Sequence, residues 1–121
     1  MQLYTVQIAR YRKALALGVP FVDTSIKTGK SEFMPTWDMV MGYKQGTVSE
    51  ERYTEMYYDL MRQRYRANRQ WWLAFLRDQP SAAIGCFCTP GAFCHRLLLV
   101  DIFRKICERN DIPFEYAGEL T

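Results

Sequence analysis

The first 26 residues constrain the fold more than any other stretch, because they read as a strand, a helix and a second strand in immediate succession. QLYTVQI (2–8) is rich in β-forming side chains, ARYRKALAL has helical composition and stops at Gly18, and VPFVDTSI (19–26) reads as a buried strand ending in polar groups. Two strands joined by a helix of this length are normally parallel with a right-handed crossover, so both present their C-terminal ends on one edge. Asp23, Ser25 and Lys27 are then expected at that edge, where KTGKSEF supplies a loop that also carries Lys30. Its TGK is not a phosphate-binding P-loop, for it lacks the upstream glycine and the Ser/Thr after the lysine at the required spacing.

The middle third reads as wholly helical. Pro35 can open a short helix, TWDMVMGYK, that ends near Gly46, and Thr47-Val48-Ser49-Glu50 matches the S/T-x-x-E capping box and predicts a helix over about 48–66. Asn68 is expected to cap a further helical stretch through Trp71, Trp72, Leu73, Phe75 and Leu76, with Pro80 as its stop. AAIGCFC (82–88) predicts a third strand, 92–109 a strongly apolar helix, and IPFEYA (112–117) a short last strand. The pattern predicts one α/β domain over 1–121 with three layers: a small, mainly parallel sheet of about four strands, helices on both faces, and a helical insertion at about 35–79.

With 121 residues, 49% of them hydrophobic, the chain can fill one core. A net charge of +3 suits an anionic ligand but is too small to signal nucleic-acid binding. Arg62, Arg64, Arg66 and Arg69 next to Trp71 and Trp72 could grip a nucleic-acid backbone, yet they spread over more than one helix face and are diluted by Glu51, Glu55, Asp59 and Asp78. A solvated helix face with core tryptophans is the favoured reading. No apolar run approaches the roughly 20 residues of a membrane span, and MQLYTVQIARYRK begins as a strand without a signal peptide's layout, so a soluble, cytoplasmic protein with no membrane contact is expected. The four cysteines are then reduced thiols rather than a disulfide scaffold. Tyr57, Tyr58, Tyr65, Trp71 and Trp72 exceed the evident needs of a small core, which makes a homodimer surface reasonable.

Chemistry concentrates in IGCFCTPGAFCHR (84–96), which holds three of the cysteines and the only histidine. An apolar strand runs into a Pro-Gly turn and then into Cys94-His95-Arg96 at a helix start, where backbone N–H groups converge. Cys94 at that place is in surroundings that favour a thiolate nucleophile, against the alternative of a small buried hydrophobe. Any imidazole acid–base step must use His95, although neighbouring side chains on a helix diverge by about 100° and make a direct Cys94–His95 dyad awkward. The alternative is a histidine that holds the junction through a loop carbonyl. Arg96 offers a planar fork for phosphate or carboxylate; the alternative is a structural salt bridge, with Asp23 as the expected partner. Cys86, Cys88, Cys94 and His95 are all residues that zinc accepts, but adjacent Cys-His seldom reach one ion and the usual C-x₂₋₄-C knuckle is absent, so the expectation is no metal. No cofactor follows from the sequence.

The strand motifs YTV and VDTS, the tyrosine-rich ERYTEMYYDLM, and above all GCFC…CHRLLLVDIF make the chain similar to an uncharacterised family called domain of unknown function 488. Its members are small α/β proteins with a strand cysteine followed by Cys-His-Arg, here Cys86 and Cys94-His95-Arg96. The resemblance implies this fold and this site, while the family has no generally established reaction. Two departures stand out: where members carry Asp-x-Arg after the second strand this chain has Asp23-Thr24-Ser25, and where many have a Glu two residues past the strand cysteine it has Cys88. The shortness suggests a trimmed branch of the kind found in phage or mobile-element genomes.

The first functional expectation is therefore a pocket at the sheet edge for a phosphate-bearing small molecule, a nucleotide or nucleotide-derived signal. Arg96 would hold the anion, Asp23 and Ser25 orient polar groups, Lys27 or Lys30 close over the ligand, and Cys86, Cys88, Cys94 and His95 line the recognition or reacting end. The second is a thiol-dependent hydrolase or transferase using Cys94 with His95. The third is a non-enzymatic interaction protein, perhaps dimeric, in which Cys-His-Arg only locks the fold.

Overall fold

The computed structural model describes residues 1–29, 32–88 and 92–121, and Lys30 lies outside them. Four strands, β1 (Gln2–Gln7), β2 (Phe21–Asp23), β3 (Ser81–Cys86) and β4 (Glu115–Leu120), form one all-parallel sheet in the order β2-β3-β1-β4. Among the described residues five helices accompany them: α1 (Arg12–Ala16, after a 3-10 turn at Ile8–Arg10), α2 (Trp37–Gln45), α3 (Glu50–Ala67), α4 (Arg69–Asp78) and α5 (His95–Arg109). The expected α/β architecture is present, with its helical insertion between β2 and β3. No helix among the described residues is long and apolar enough to cross a membrane.

Alternation along the strands sorts side chains between two unequal layers. Leu3 in β1 and Ala82 and Ile84 in β3 join the large core under α2–α5, with Tyr57, Met61, Trp72, Leu99 and Phe103. Val6 and Ala83 point the other way and meet Ala14 of α1 and Val19. Helices thus cover both faces, but one face carries four of them and the other only α1. The interior of the large layer is aromatic: Phe33 lies 5.0 Å from Trp72 and 5.4 Å from Phe103, both edge to face.

Boundaries moved where backbone groups had other partners. β2 ends at Asp23 because the Asp23 carboxylate accepts the Ser25 N–H at 2.8 Å and turns the chain. The last strand begins at Glu115 rather than 112, since the Ile112 N–H still caps the Cys107 carbonyl of α5 at 2.9 Å and Pro113 has no N–H to offer. The helix predicted from 92 starts at His95, with Cys94 extended as its N-cap. The capping box at Thr47 is also displaced. Ser49 is the N-cap of α3 and accepts the Arg52 N–H at 3.1 Å, while the Thr47 hydroxyl donates back to the Gly42 carbonyl in α2's last turn. Asn68 does not cap α4 with its side chain, which instead donates to Glu32.

One irregularity matters for the site. β4 pairs with β1 through Tyr116↔Leu3 and then Gly118↔Tyr4, so Ala117 is an extra residue, a bulge. Gly118 takes φ 107°, a conformation that side-chain-bearing residues rarely adopt. The slip puts Glu119 opposite Thr5, on the α5 face, and Leu120 opposite Val6, on the α1 face.

Candidate functional site

The site assembles from the ends of β2 and β3 and the start of α5. Cys86 shares the face of Ala82 and Ile84, so the last residue of β3 delivers its thiol beneath the helical layer. Cys88 lies two residues on, and the chain returns at Cys94. The three sulfurs lie within 4.8 Å of one another. They are unpaired thiols, with Cys86 and Cys94 buried and Cys88 partly open to solvent.

Arg96, on the first turn of α5, runs beside this cluster and is only 1% exposed. Its Nη1 donates to Cys86 Sγ at 2.9 Å, to the Cys88 carbonyl at 2.9 Å and to Cys94 Sγ at 3.6 Å. Nε and Nη2 grip the two carboxylate oxygens of Glu119 at 3.3 and 3.1 Å. The guanidinium is committed to protein partners, so Arg96 is not an open clamp for an anion, and its ion pair is with Glu119 rather than Asp23. The bulge in β4 is the physical reason, since it swings Glu119 onto the face of α5. Burial works against the charge on Arg96, but the Cys86 sulfur and Glu119 outweigh it and raise its pKa.

Asp23 stays within its own turn, accepting the Ser25 N–H and the Thr28 hydroxyl. Thr24, notable in the sequence only as part of Asp23-Thr24-Ser25, makes the junction: its carbonyl lies 2.8 Å and its hydroxyl 3.0 Å from His95 Nε2, and the hydroxyl donates to the Gly85 carbonyl at 2.9 Å. A carbonyl can only accept, so Nε2 carries the proton and Nδ1 keeps its lone pair. Nδ1 faces Cys94 Sγ at 3.8 Å. The adjacent pair that helix geometry made awkward does come together, because Cys94 is extended and lies just outside the helix. Burial lowers the His95 pKa and keeps the imidazole neutral.

Cys88 and Cys94 are shifted in opposite directions. Hydrogen bonding from Cys86 and then Cys94, with help from the positive charges of Arg96 and Lys44, pushes the Cys88 thiol down to about 3 against the effect of burial. Cys94 moves far the other way: its S–H serves Cys86 and Cys88, and it is buried beside their charge. Of these two thiols, Cys88 rather than Cys94 has the surroundings that favour a thiolate, since a second thiolate in so small a space would repel the first.

A cavity of about 410 Å³ opens over the cluster. All three cysteines and His95 border it, and so do Ser25 and Lys27 from the loop after β2. The opposite wall comes from α2 and α3. Trp37, Val40 and Lys44 present one side of α2, with Tyr43 and with Tyr53 of α3 beside them. Their i, i+3, i+7 spacing in TWDMVMGYK was the available signal for this wall, read in the sequence only as a helix. Burial raises the Tyr53 pKa, so its hydroxyl stays protonated. For Glu119 the sequence held no signal, because its facing depends on the bulge.

Of the arginines considered for nucleic acid, Arg62 pairs with Asp59 at 2.7 Å and Arg64 donates to the Met34 carbonyl at 2.6 Å. A family model described as the active DUF488-N3 subclade matches residues 9–106. No curated protein and no solved structure matches the chain.

Proposed function

We propose, for a chain that belongs to the DUF488-N3 family, that it is a thiol-dependent enzyme, a hydrolase or transferase, with Cys88 as nucleophile. One observation carries this reading: three thiols and a buried guanidinium converge at the floor of a cavity in which Cys88 is the thiol with solvent access. Donors from Cys86, Cys94 and the cation of Arg96 favour a thiolate there. In the reaction, the Cys88 sulfur bonds to an electrophilic atom of the ligand as the leaving group departs. Water or a second acceptor then takes the transferred group and restores the sulfur. Cys94, with the His95 Nδ1 lone pair behind it, is placed to supply and recover the proton.

The cavity wall favours a ligand with both a flat ring and an anionic group. Tyr43, Tyr53, Phe93 and Trp37 offer ring surfaces, and Lys27 and Lys44 supply cations in place of the engaged Arg96. That combination also supports a second reading, a pocket that binds a nucleotide or related phosphate ligand without turning it over.

Brief alkylation of reduced, metal-free protein at neutral pH, mapped by mass spectrometry, tests both. Cys88 is expected to react at least tenfold faster than buried Cys107, and a nucleotide from a broad panel is expected to slow it. Equally inert thiols would remove the enzyme reading, leaving the binding reading to stand on a thermal shift with the same panel.

A further inference from the structure

We infer that Cys86, Cys88 and Cys94 form a binding site for one Zn²⁺ ion whose fourth coordination position opens into the cavity. The spacing C-x-C…C-H argues against zinc because an adjacent cysteine and histidine seldom reach one ion. The fold removes that objection: only Cys94 of the pair is needed, and His95 Nε2 is turned away to Thr24. Zinc–sulfur bonds of about 2.3 Å in a tetrahedron set sulfurs about 3.8 Å apart. Sulfurs already within 4.8 Å of one another need close by no more than about 1 Å, within reach of small side-chain rotations.

Charge and outer contacts agree with this assignment. Three thiolates around a dication leave one net negative charge, and the Arg96 guanidinium, although paired with Glu119, lies directly against the sulfurs that carry it. Its Nη1 already donates to Cys86 and Cys94, the outer hydrogen bonds that hold metal-bound thiolates in place. Cys94 also stands at the N-terminus of the 15-residue α5, the positive end of that helix. Three protein ligands and an open side describe a zinc site that keeps a position for water or ligand, rather than a closed structural one. The inference needs only the sulfur geometry and not turnover, so it does not rest on the thiol-enzyme reading. A zinc-loaded cluster has no uncommitted thiolate at Cys88; the two readings describe the loaded and metal-free forms of one cluster.

The test uses the full chain, reduced and stripped with chelator, then titrated with Co²⁺ and afterwards Zn²⁺. We expect saturation at one equivalent, a near-ultraviolet thiolate-to-cobalt charge-transfer band, its loss on adding Zn²⁺, and at least tenfold weaker binding in Cys94→Ser but not in Cys107→Ser. Zn²⁺ is also expected to block alkylation of Cys88 in the wild-type chain, a readout that stands even where a cysteine variant fails to fold. Absence of the band in the wild-type chain, or alkylation of Cys88 undiminished by one equivalent of Zn²⁺, would overturn the inference. Reactive Cys88 without zinc binding would reject this site and keep the enzyme reading; inert metal-free thiols with tight zinc binding would do the reverse.

Discussion

At the residue scale the largest consequences follow from a single buried cation. Arg96 has its donors shared among Glu119, two sulfurs and a carbonyl, and almost none of it meets solvent. Removing the Glu119 charge leaves the buried guanidinium only its sulfur and carbonyl acceptors, and breaking a buried pair typically costs about 3–5 kcal/mol. Glu119 keeps 19% of its side chain exposed, so Glu119→Gln is expected near the lower end, about 3 kcal/mol by urea denaturation. Arg96→Met combined with Glu119→Leu should lose less than the sum of the single changes, since the pair carries its own desolvation cost. Additive losses would mean that the two side chains do not stabilise each other. The sequence identified Arg96 and its dual reading as clamp or salt bridge. Which of the two holds depended on a partner 23 residues away.

At the element scale, hydrophobic pattern revealed strands and helices, while their ends were decided by hydrogen bonds that the pattern does not contain. The start of α3 illustrates this. Thr47 and Ser49 both precede it, and the S/T-x-x-E match pointed to Thr47, but only Ser49 has its oxygen on a first-turn N–H. Ser49→Ala is expected to cost about 1 kcal/mol and Thr47→Ala less than about 0.5 kcal/mol. Parallel thermal melts of the two variants check the difference, and equal losses would restore the cap to Thr47. The bulge in β4 belongs to this scale too: Gly118 permits it, and through it one edge strand contributes both Tyr116 to the large core and Leu120 to the small one.

Across the whole molecule, the order β2-β3-β1-β4 makes β1 and β3 the two strands with neighbours on both sides. Both are buried under helices on at least one face, and Leu3, Val6, Ala83 and Ile84 have no measurable exposure. Amides of Leu3–Val6 and Ala82–Gly85 are therefore expected to exchange hydrogen only through global unfolding, and those of α1 and the outer part of β4 by local opening. Native-state hydrogen exchange across a low-denaturant series checks this; protection of α1 equal to that of β3 would show that the thin layer is as stable as the thick one. The same strand order explains the site, because it brings the turn after β2 next to the end of β3 and lets Thr24 meet His95.

From its residues alone, the chain determined its class and the neighbourhood of its chemistry. Periodicity and turn residues are local properties, and they marked out strands, helices and the 86–96 segment without reference to anything distant. The partners of those residues were decided only by the tertiary structure. Cys94 joins Cys86 and Cys88, Arg96 resolves into an ion pair rather than an anion clamp, and α2 closes the cavity, because contacts between remote segments follow from strand order and from a one-residue slip in register.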